Sequence, residues 1–333
     1  MSVSMKQVAE AAGVSTATVS HVINGTRYVT EETTAKVLRA MKELEYRPNN
    51  VARSLRNQKS GIVGLIVPLS ASDTANFFFM SIAQGIEEVL KDAEYNLILS
   101  NSNESLADEL EQIRVFNSQF IEGLILAPTS HDQEELSSVI GPYPVVFVDR
   151  KPKGISGDCV LADGFSGTYE AIQTMLQAGH RRIGFVSGPL GYTTSDERLA
   201  GYVRALEKNG VAVEQTLIKE GIPTFENGYS FARQLIKEQQ VTALFVANNM
   251  MTLGAMGFLQ DAKVRIPEEV AVIGFDDYDW TRITNPPLSV IKQPAYELGR
   301  RAAEIMLHRI NSPKKAAFQE YRLPTELVLR ASC

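Results

Sequence analysis

Residues 14–25 read Val14-Ser15-Thr16-Ala17-Thr18-Val19-Ser20-His21-Val22-Ile23-Asn24-Gly25, directly after an Ala12-Gly13 turn. Ser15 stands where an N-cap is needed, its oxygen able to accept a free backbone N–H of the first turn. Val19, Val22 and Ile23 recur at helical spacing and form one apolar face. Thr16, Ala17, Ser20 and His21 point elsewhere, and Asn24-Gly25 supplies a stop. The result is a small helix whose free face carries short polar side chains and can come close to another surface. Alone, the segment leaves two readings open: a helix for the major groove of DNA, or a surface helix in a small bundle.

The flanking sequence favours the groove. Upstream, Ser4-Met5-Lys6-Gln7 reads as a capping box, and Val8, Ala9 and Ala12 give a first helix a small apolar face. A helix, a turn at Gly13 and a second helix are the parts of a helix-turn-helix. Downstream, Thr30 caps a third helix with Glu31 and Glu32 in its first turn, where the macrodipole favours acids. Val37, Leu38, Met41 and Leu44 place one stripe against the first two helices. Pro48 ends that helix, because it disfavours helical geometry in the residue before it. Asn49 to Arg56 can form two turns with Val51, Ala52 and Leu55 on one side, too short a helix to stand alone in water. It reads as a hinge that folds on docking, followed by a polar linker to Ser60.

Charge is distributed in the same sense. Residues 1–59 carry nine Lys/Arg against five Asp/Glu, a net +4, within a chain of −6, so the remainder carries −10. A basic first module on an acidic body is the asymmetry of a protein in which that module alone meets phosphate.

The runs Val8-Ala9-Glu10-Ala11-Ala12-Gly13-Val14-Ser15, Thr18-Val19-Ser20, Val22-Ile23-Asn24-Gly25 and Tyr46-Arg47-Pro48-Asn49 with Val51-Ala52-Arg53-Ser54-Leu55 closely resemble the lactose/galactose-repressor family of bacterial transcription regulators. The resemblance implies that Thr16, Ala17 and His21 read bases, with Ser15, Thr18, Ser20, Asn24 and Tyr28 near phosphates or bases. It implies that Leu55 is a minor-groove wedge, accompanied by Asn49 and Ala52. Many members carry Arg where this chain has His21, and His cannot grip guanine with the same bidentate pair. The operator base facing His21 is therefore this chain's own.

Length points to more than one domain, since single cores rarely grow past about 250–300 residues and the chain has 333. From Gly61 the pattern changes to short apolar runs alternating with helical periodicity. Strands are expected at 62–67, 96–99, 123–126, 145–148, 159–161, 183–186, 217–218, 243–246, 270–273 and 290–292. Helices are expected over 76–93, 104–118, 132–140, 164–178, 196–209, 227–239 and 249–262. This is a doubly wound α/β fold, and about ten strands suit two sheets better than one. The first crossing between them is placed near 162.

In such sheets ligands bind beyond the carboxyl ends of the strands. Those ends carry Asp149-Arg150, Ser187-Gly188-Pro189, Asn248-Asn249, Asp276-Asp277 and Gln293, with Arg198 a short way on and Phe77, Phe78 and Phe79 after the first strand. Carboxylates, amides, one Arg and aromatic rings together suit a neutral polyhydroxy ligand. Each residue also has a plainer reading: Asn248 and Asp276 as helix or turn caps, Arg198 as a surface residue, the Phe run as core.

The resemblance extends here through Glu197-Arg198-Leu199-Ala200-Gly201-Tyr202, Ile273-Gly274-Phe275-Asp276-Asp277 and Pro286-Pro287-Leu288-Ser289-Val290-Ile291-Lys292-Gln293-Pro294. It implies an effector cleft lined by Arg198, Asn248, Asp276 and Gln293 from one lobe, by Asp149 and Phe78 or Phe79 from the other, and by Phe225. Asn76-Phe77-Phe78-Phe79 replaces the frequent Asn-Pro-Phe-Phe, leaving open which ring faces the ligand. The fold implied is that of periplasmic sugar-binding proteins, two lobes joined by three crossovers. The domains expected are a helix-turn-helix unit at 1–48, a hinge at 49–60 and an effector-binding and dimerisation body at 61–333. Within the body, one lobe takes about 61–162 and 293–322, the other about 163–292 and 323–333.

The expected function is a sequence-specific transcriptional regulator, a repressor, controlled by a small carbohydrate effector. Its partners are a near-palindromic operator and a second copy of the chain, since no heptad tail for tetramers follows the last strand. Some family members answer to a phosphorylated carrier protein, and that partner stays open. A solute-binding protein of the same body fold is the rival reading, opposed by the first 59 residues and the lack of a leader pattern. An enzyme is not expected: there is no Gly-rich phosphate loop, no G-x-S-x-G and no metal cluster. No cofactor, metal or disulfide is expected, and without a signal segment or an apolar run of about 18 residues the expected location is the cytoplasm.

Overall fold

A computed structural model describes residues 3–24, 27–46, 60–69, 76–129, 133–312 and 317–333. The chain divides into two compact units, Met1–Ser60 and Gly61–Cys333.

The first unit holds α1 (Met5–Ala12), α2 (Thr16–Asn24) and α3 (Glu31–Glu43). The capping box forms: Ser4 accepts from the Gln7 N–H, and the Gln7 side chain accepts from the Ser4 N–H. Gly13 turns the chain at φ 66°, a conformation a side chain would strain. Ser15 caps α2 by accepting from the Thr18 N–H at 3.0 Å, and Thr30 caps α3 through Thr33. Val8, Ala9, Val19, Val37 and Ala40 form a core of small side chains. The expected hinge residues Asn49, Ala52 and Leu55 lie outside the described residues.

The second unit is built from two six-stranded sheets. Sheet one contains β1 (Ile62–Val67), β2 (Asn96–Asn101), β3 (Gly123–Leu126), β4 (Val145–Val148), β5 (Asp158–Ala162) and β11 (Glu320–Leu323), in the order β11-β5-β4-β3-β1-β2 and all parallel. Sheet two contains β6 (Ile183–Ser187), β7 (Ile218–Glu220), β8 (Ala243–Val246), β9 (Ala271–Phe275), β10 (Ser289–Lys292) and β12 (Glu326–Val328), in the order β12-β10-β9-β8-β6-β7. Its β12 edge is antiparallel.

Each sheet is apolar on both faces because helices cover both. On sheet one, α4 (Asn76–Asp92) and α12 (Ala295–Asn311) cover one face, and α5 (Leu106–Ser118) and α6 (Gln133–Val139) the other. On sheet two, α7 (Gly164–Gln177) and α8 (Thr193–Lys208) lie opposite α9 (Phe225–Lys237) and α10 (Asn249–Asp261). The short α11 (Asp279–Ile283) follows β9.

The chain crosses between the sheets three times: after β5, after β10, and between β11 and β12. Helix α12 and strands β11 and β12 fall outside the alternation expected from sequence. The two edge strands have exposed and half-buried residues in place of an apolar run. Buried Ser332 stitches the chain's last residues to sheet two, donating to Val272 O at 2.7 Å and accepting from Ser289 N at 2.8 Å.

Helices α4 and α12 pack backbone to backbone through Gly85 and Gly299. A Cβ on Gly299 would sit 2.0 Å from Ile82 O, and one on Gly85 2.1 Å from Tyr296 O. Gly299→Ala is therefore expected to force the helices apart at a cost of about 3 kcal/mol. Chemical denaturation checks this, and an unchanged midpoint would contradict the packing.

Candidate functional site

Helix α2 exposes Thr16 and Ala17 at its first turn, beside the exposed Ser15 cap. Thr18 is tied back to Ser15 by a 2.9 Å side-chain hydrogen bond. Ser20 and His21 are half-buried, and Tyr28 is 90% exposed. Asn24 ends the helix. The buried face of α2 is carried by Val19, and Ser15, Thr16 and Ala17 face solvent.

In the body, the strand ends of sheet two converge on Arg198. This side chain, from α8, is buried. It donates to Ala247 O at 2.6 Å beyond β8, reaches Gln293 Oε1 at 3.5 Å beyond β10, and stacks 3.7 Å from the centroid of the Phe275 ring. Gln293 in turn donates to Asp276 Oδ1 at 2.7 Å. Burial lowers the Arg198 pKa, opposed by Asp276 and Asp149. Its Nε, buried, has no hydrogen-bond partner among the described residues, nor does Ser187 Oγ at the end of β6. Buried donors left this way cost about 1–3 kcal/mol each, which a bound ligand would recover.

Sheet one contributes Asp149. Burial pushes its carboxyl pKa up against the pull of Arg150 and Arg198. Asp149 and Asp276 share an unusual backbone: both lie in the left-handed region, at φ 66° and 69°. Both follow the fourth strand of their sheets, β4 and β9, which hold equivalent places in the two strand orders. A matched pair of strained carboxylates, one per lobe, is an arrangement found where geometry serves a site.

The other expected residues are placed as follows. Asn248 caps α10, accepting from Met251 N at 3.1 Å, beside the Arg198 contact. Phe78 lines a cavity of 810 Å³ that also includes Asp276 and Gln293. Phe79 belongs to the core of the first lobe, edge-on to Phe78. Phe225 is set apart, its ring packed on Gly257 of α10. Sequence did not single out Tyr278, Trp280 and Tyr296, which line the cavity together with Phe77.

A second group of contacts spans the two lobes. Tyr192 donates to Thr129 O at 2.8 Å and lies under the Arg150 guanidinium. Thr193 is bonded to the Lys151 backbone, and Arg322 holds Glu197 with two bonds of 2.7 and 2.8 Å. Beneath it, Glu109 is fully buried and accepts from Thr129 N at 2.8 Å. Burial pushes its pKa up to about 7 despite the Thr129 hydrogen bonds.

A helix-turn-helix unit on the same chain as a two-lobed α/β body with a polar cleft defines a class, that of ligand-gated DNA-binding regulators. Comparison with known proteins agrees. Residues 4–49 match the family described as bacterial regulatory proteins, lacI family, and residues 172–333 match a periplasmic binding protein-like domain. The chain is 34% identical over 331 residues to the HTH-type transcriptional repressor PurR of Photobacterium profundum, covering 98% of each chain. It is 37% identical over 306 residues to the ribose operon repressor of Bacillus subtilis, covering 91% of this chain and 90% of that one. A solved structure of the Lac repressor dimer bound to operator and the anti-inducer ONPF matches with a TM-score of 0.88 and 26% identity, covering 100% of this chain and 99% of that one.

The chain belongs to the LacI family of bacterial transcription regulators. It is a DNA-binding transcriptional regulator and not an enzyme. Among the described residues, no helix is long and apolar enough to cross a membrane.

Proposed function

We propose that this regulator is a cytoplasmic, dimeric repressor whose hold on a near-palindromic operator is set by a small neutral effector bound between the lobes. The carrying observation is the buried Arg198, held among Ala247 O, Gln293 and the Phe275 ring, with Asp276 one hydrogen bond further on. A guanidinium already committed to neutral acceptors, flanked by two carboxylates, is suited to hydroxyl groups. Thr16, Ala17 and His21 are the base readers, Thr16 and Ala17 being small enough for thymine methyl contacts or single hydrogen bonds. The solute-binding alternative has no use for residues 4–49, which match a DNA-binding family.

Coupling runs through the lobe angle. The Tyr192, Thr193 and Glu197 contacts exist in one lobe arrangement, and an effector that prefers another arrangement shifts the balance by its differential affinity.

The test is a gel shift on a promoter fragment carrying an inverted repeat. With about six phosphates neutralised, affinity should fall about a thousandfold between roughly 50 and 200 mM salt. Binding indifferent to both sequence and salt would overturn the reading.

A further inference from the structure

Glu109 is the one carboxylate among the described residues with no exposed surface at all, and neither the cleft nor the DNA-reading helix uses it. It stands in the first turn of α5, one oxygen accepting from Thr129 N at 2.8 Å. Its Oε1 has no hydrogen-bond partner among the described residues, nor does Thr129 Oγ1. Thr129 is also a point of contact with the other lobe, since its carbonyl accepts from the Tyr192 hydroxyl at 2.8 Å. One residue therefore has its N–H bound by a buried acid of the first lobe and its C=O bound by a phenol of the second. Arg150 flanks this junction: it binds Glu104, donates to Pro128 O at 3.3 Å and lies 4.9 Å from the centroid of the Tyr192 ring. The ionisable groups that face Glu109 are Arg150 beyond β4, Glu104 ahead of α5 and Tyr192 ahead of α8. The cation among them is already committed to Glu104. An ionised Glu109 would thus be a buried charge with one unsatisfied oxygen, and burial favours the neutral acid. Parting Tyr192 from Thr129 lets water reach this turn and favours the carboxylate. By linkage, ionisation must then favour the parted arrangement to the same degree.

We propose that protonated Glu109 keeps the Thr129–Tyr192 contact between the lobes closed and that its ionisation releases it, so that the balance of lobe arrangements, and with it the hold on the operator, follows pH. Acidification favours the arrangement described here, and a rise in pH disfavours it. This rests on the reading that the lobe arrangement sets the hold on the operator.

The test uses the full-length protein and two conservative variants, Glu109→Gln and Tyr192→Phe, singly and together. Tyr192→Phe removes only the hydroxyl that bonds Thr129. The stability difference between proteins with and without Glu109→Gln, followed across pH, levels off where Glu109 ionises in the folded chain. With Tyr192 in place that point should lie near pH 7, as burial requires. In the Tyr192→Phe background it should fall by about one pH unit or more, because the acid is then open to water. A purely structural Glu109 would ionise at the same pH in both backgrounds, and that result overturns the proposal. Operator affinity is then measured by gel shift at constant salt. Groups such as His21 titrate alike in parent and Glu109→Gln and cancel in their ratio. That ratio should change about fivefold between roughly pH 6 and pH 8. A ratio constant within about twofold, beside a clear effect of Tyr192→Phe on operator affinity, overturns proton control and leaves the lobe reading standing. If Tyr192→Phe also leaves operator affinity unchanged at every pH, the lobe reading falls with it.

Discussion

Arg198→Ala should abolish the effector response while operator affinity stays within about threefold of the parent protein. The guanidinium is the member of the cleft with most partners: its loss leaves Ala247 O without its donor, bares the face of Phe275 and removes a neighbouring cation from Asp149. Effector affinity should fall about a hundredfold, the worth of two hydrogen bonds to a charged group. Stability should drop by about 3 kcal/mol, because a buried acceptor is left unpaired beside a new cavity. Arg198→Lys should not rescue, since an ammonium keeps the charge but has neither the planar fork nor the stacking surface. Operator titrations with and without effector check both variants. A normal response in Arg198→Lys would remove the guanidinium from recognition.

The second large effect concerns Glu109. Its pKa is raised from 4.5 to about 7 in the folded chain, with burial as the main cause, Thr129 opposing it, Arg150 lowering it and Glu104 raising it. Between these values the folded state holds a proton that the unfolded state has released. Stability from this group is complete below about pH 4.5 and is lost as pH rises through about 7. The change amounts to about 3 kcal/mol. Glu109→Gln keeps an acceptor for the Thr129 N–H and cannot ionise. The variant should match the parent near pH 4.5 and melt about 5–10 °C higher at pH 8. A difference that does not vary with pH would show that Glu109 does not titrate as its burial requires.

The features legible in the sequence are those whose causes are local or follow from sheet topology. Ser4, Ser15 and Thr30 cap their helices because the acceptor and the free N–H lie three residues apart. Val19 is buried because helical spacing leaves it nowhere else to go. Asp149, Asn248, Asp276 and Gln293 were visible as candidates because each follows a strand that reads as an apolar run. What escaped depends on residues far apart in the chain. Tyr192 meets Thr129 across 63 positions and Arg322 meets Glu197 across 125, and no periodicity encodes either meeting. The order of the three phenylalanines behaved similarly. Phe77 lines the cavity, Phe79 enters the core, and Phe78 belongs to both, an ordering that depends on how α4 packs on the rest of the lobe. The edge strands β11 and β12 escaped for a different reason, since half-solvated strands lack the apolar signature of their buried neighbours.

The interleaving of the two sheets has a consequence for how the chain is made. Sheet one receives α12 and β11, and sheet two receives β12 and Ser332, all from Ala295 onward. As synthesis proceeds, the first unit has its whole core available early, whereas neither lobe can close its sheet until the end of the chain has left the ribosome. A nascent regulator can therefore carry a finished DNA-reading module before it carries any working sensor.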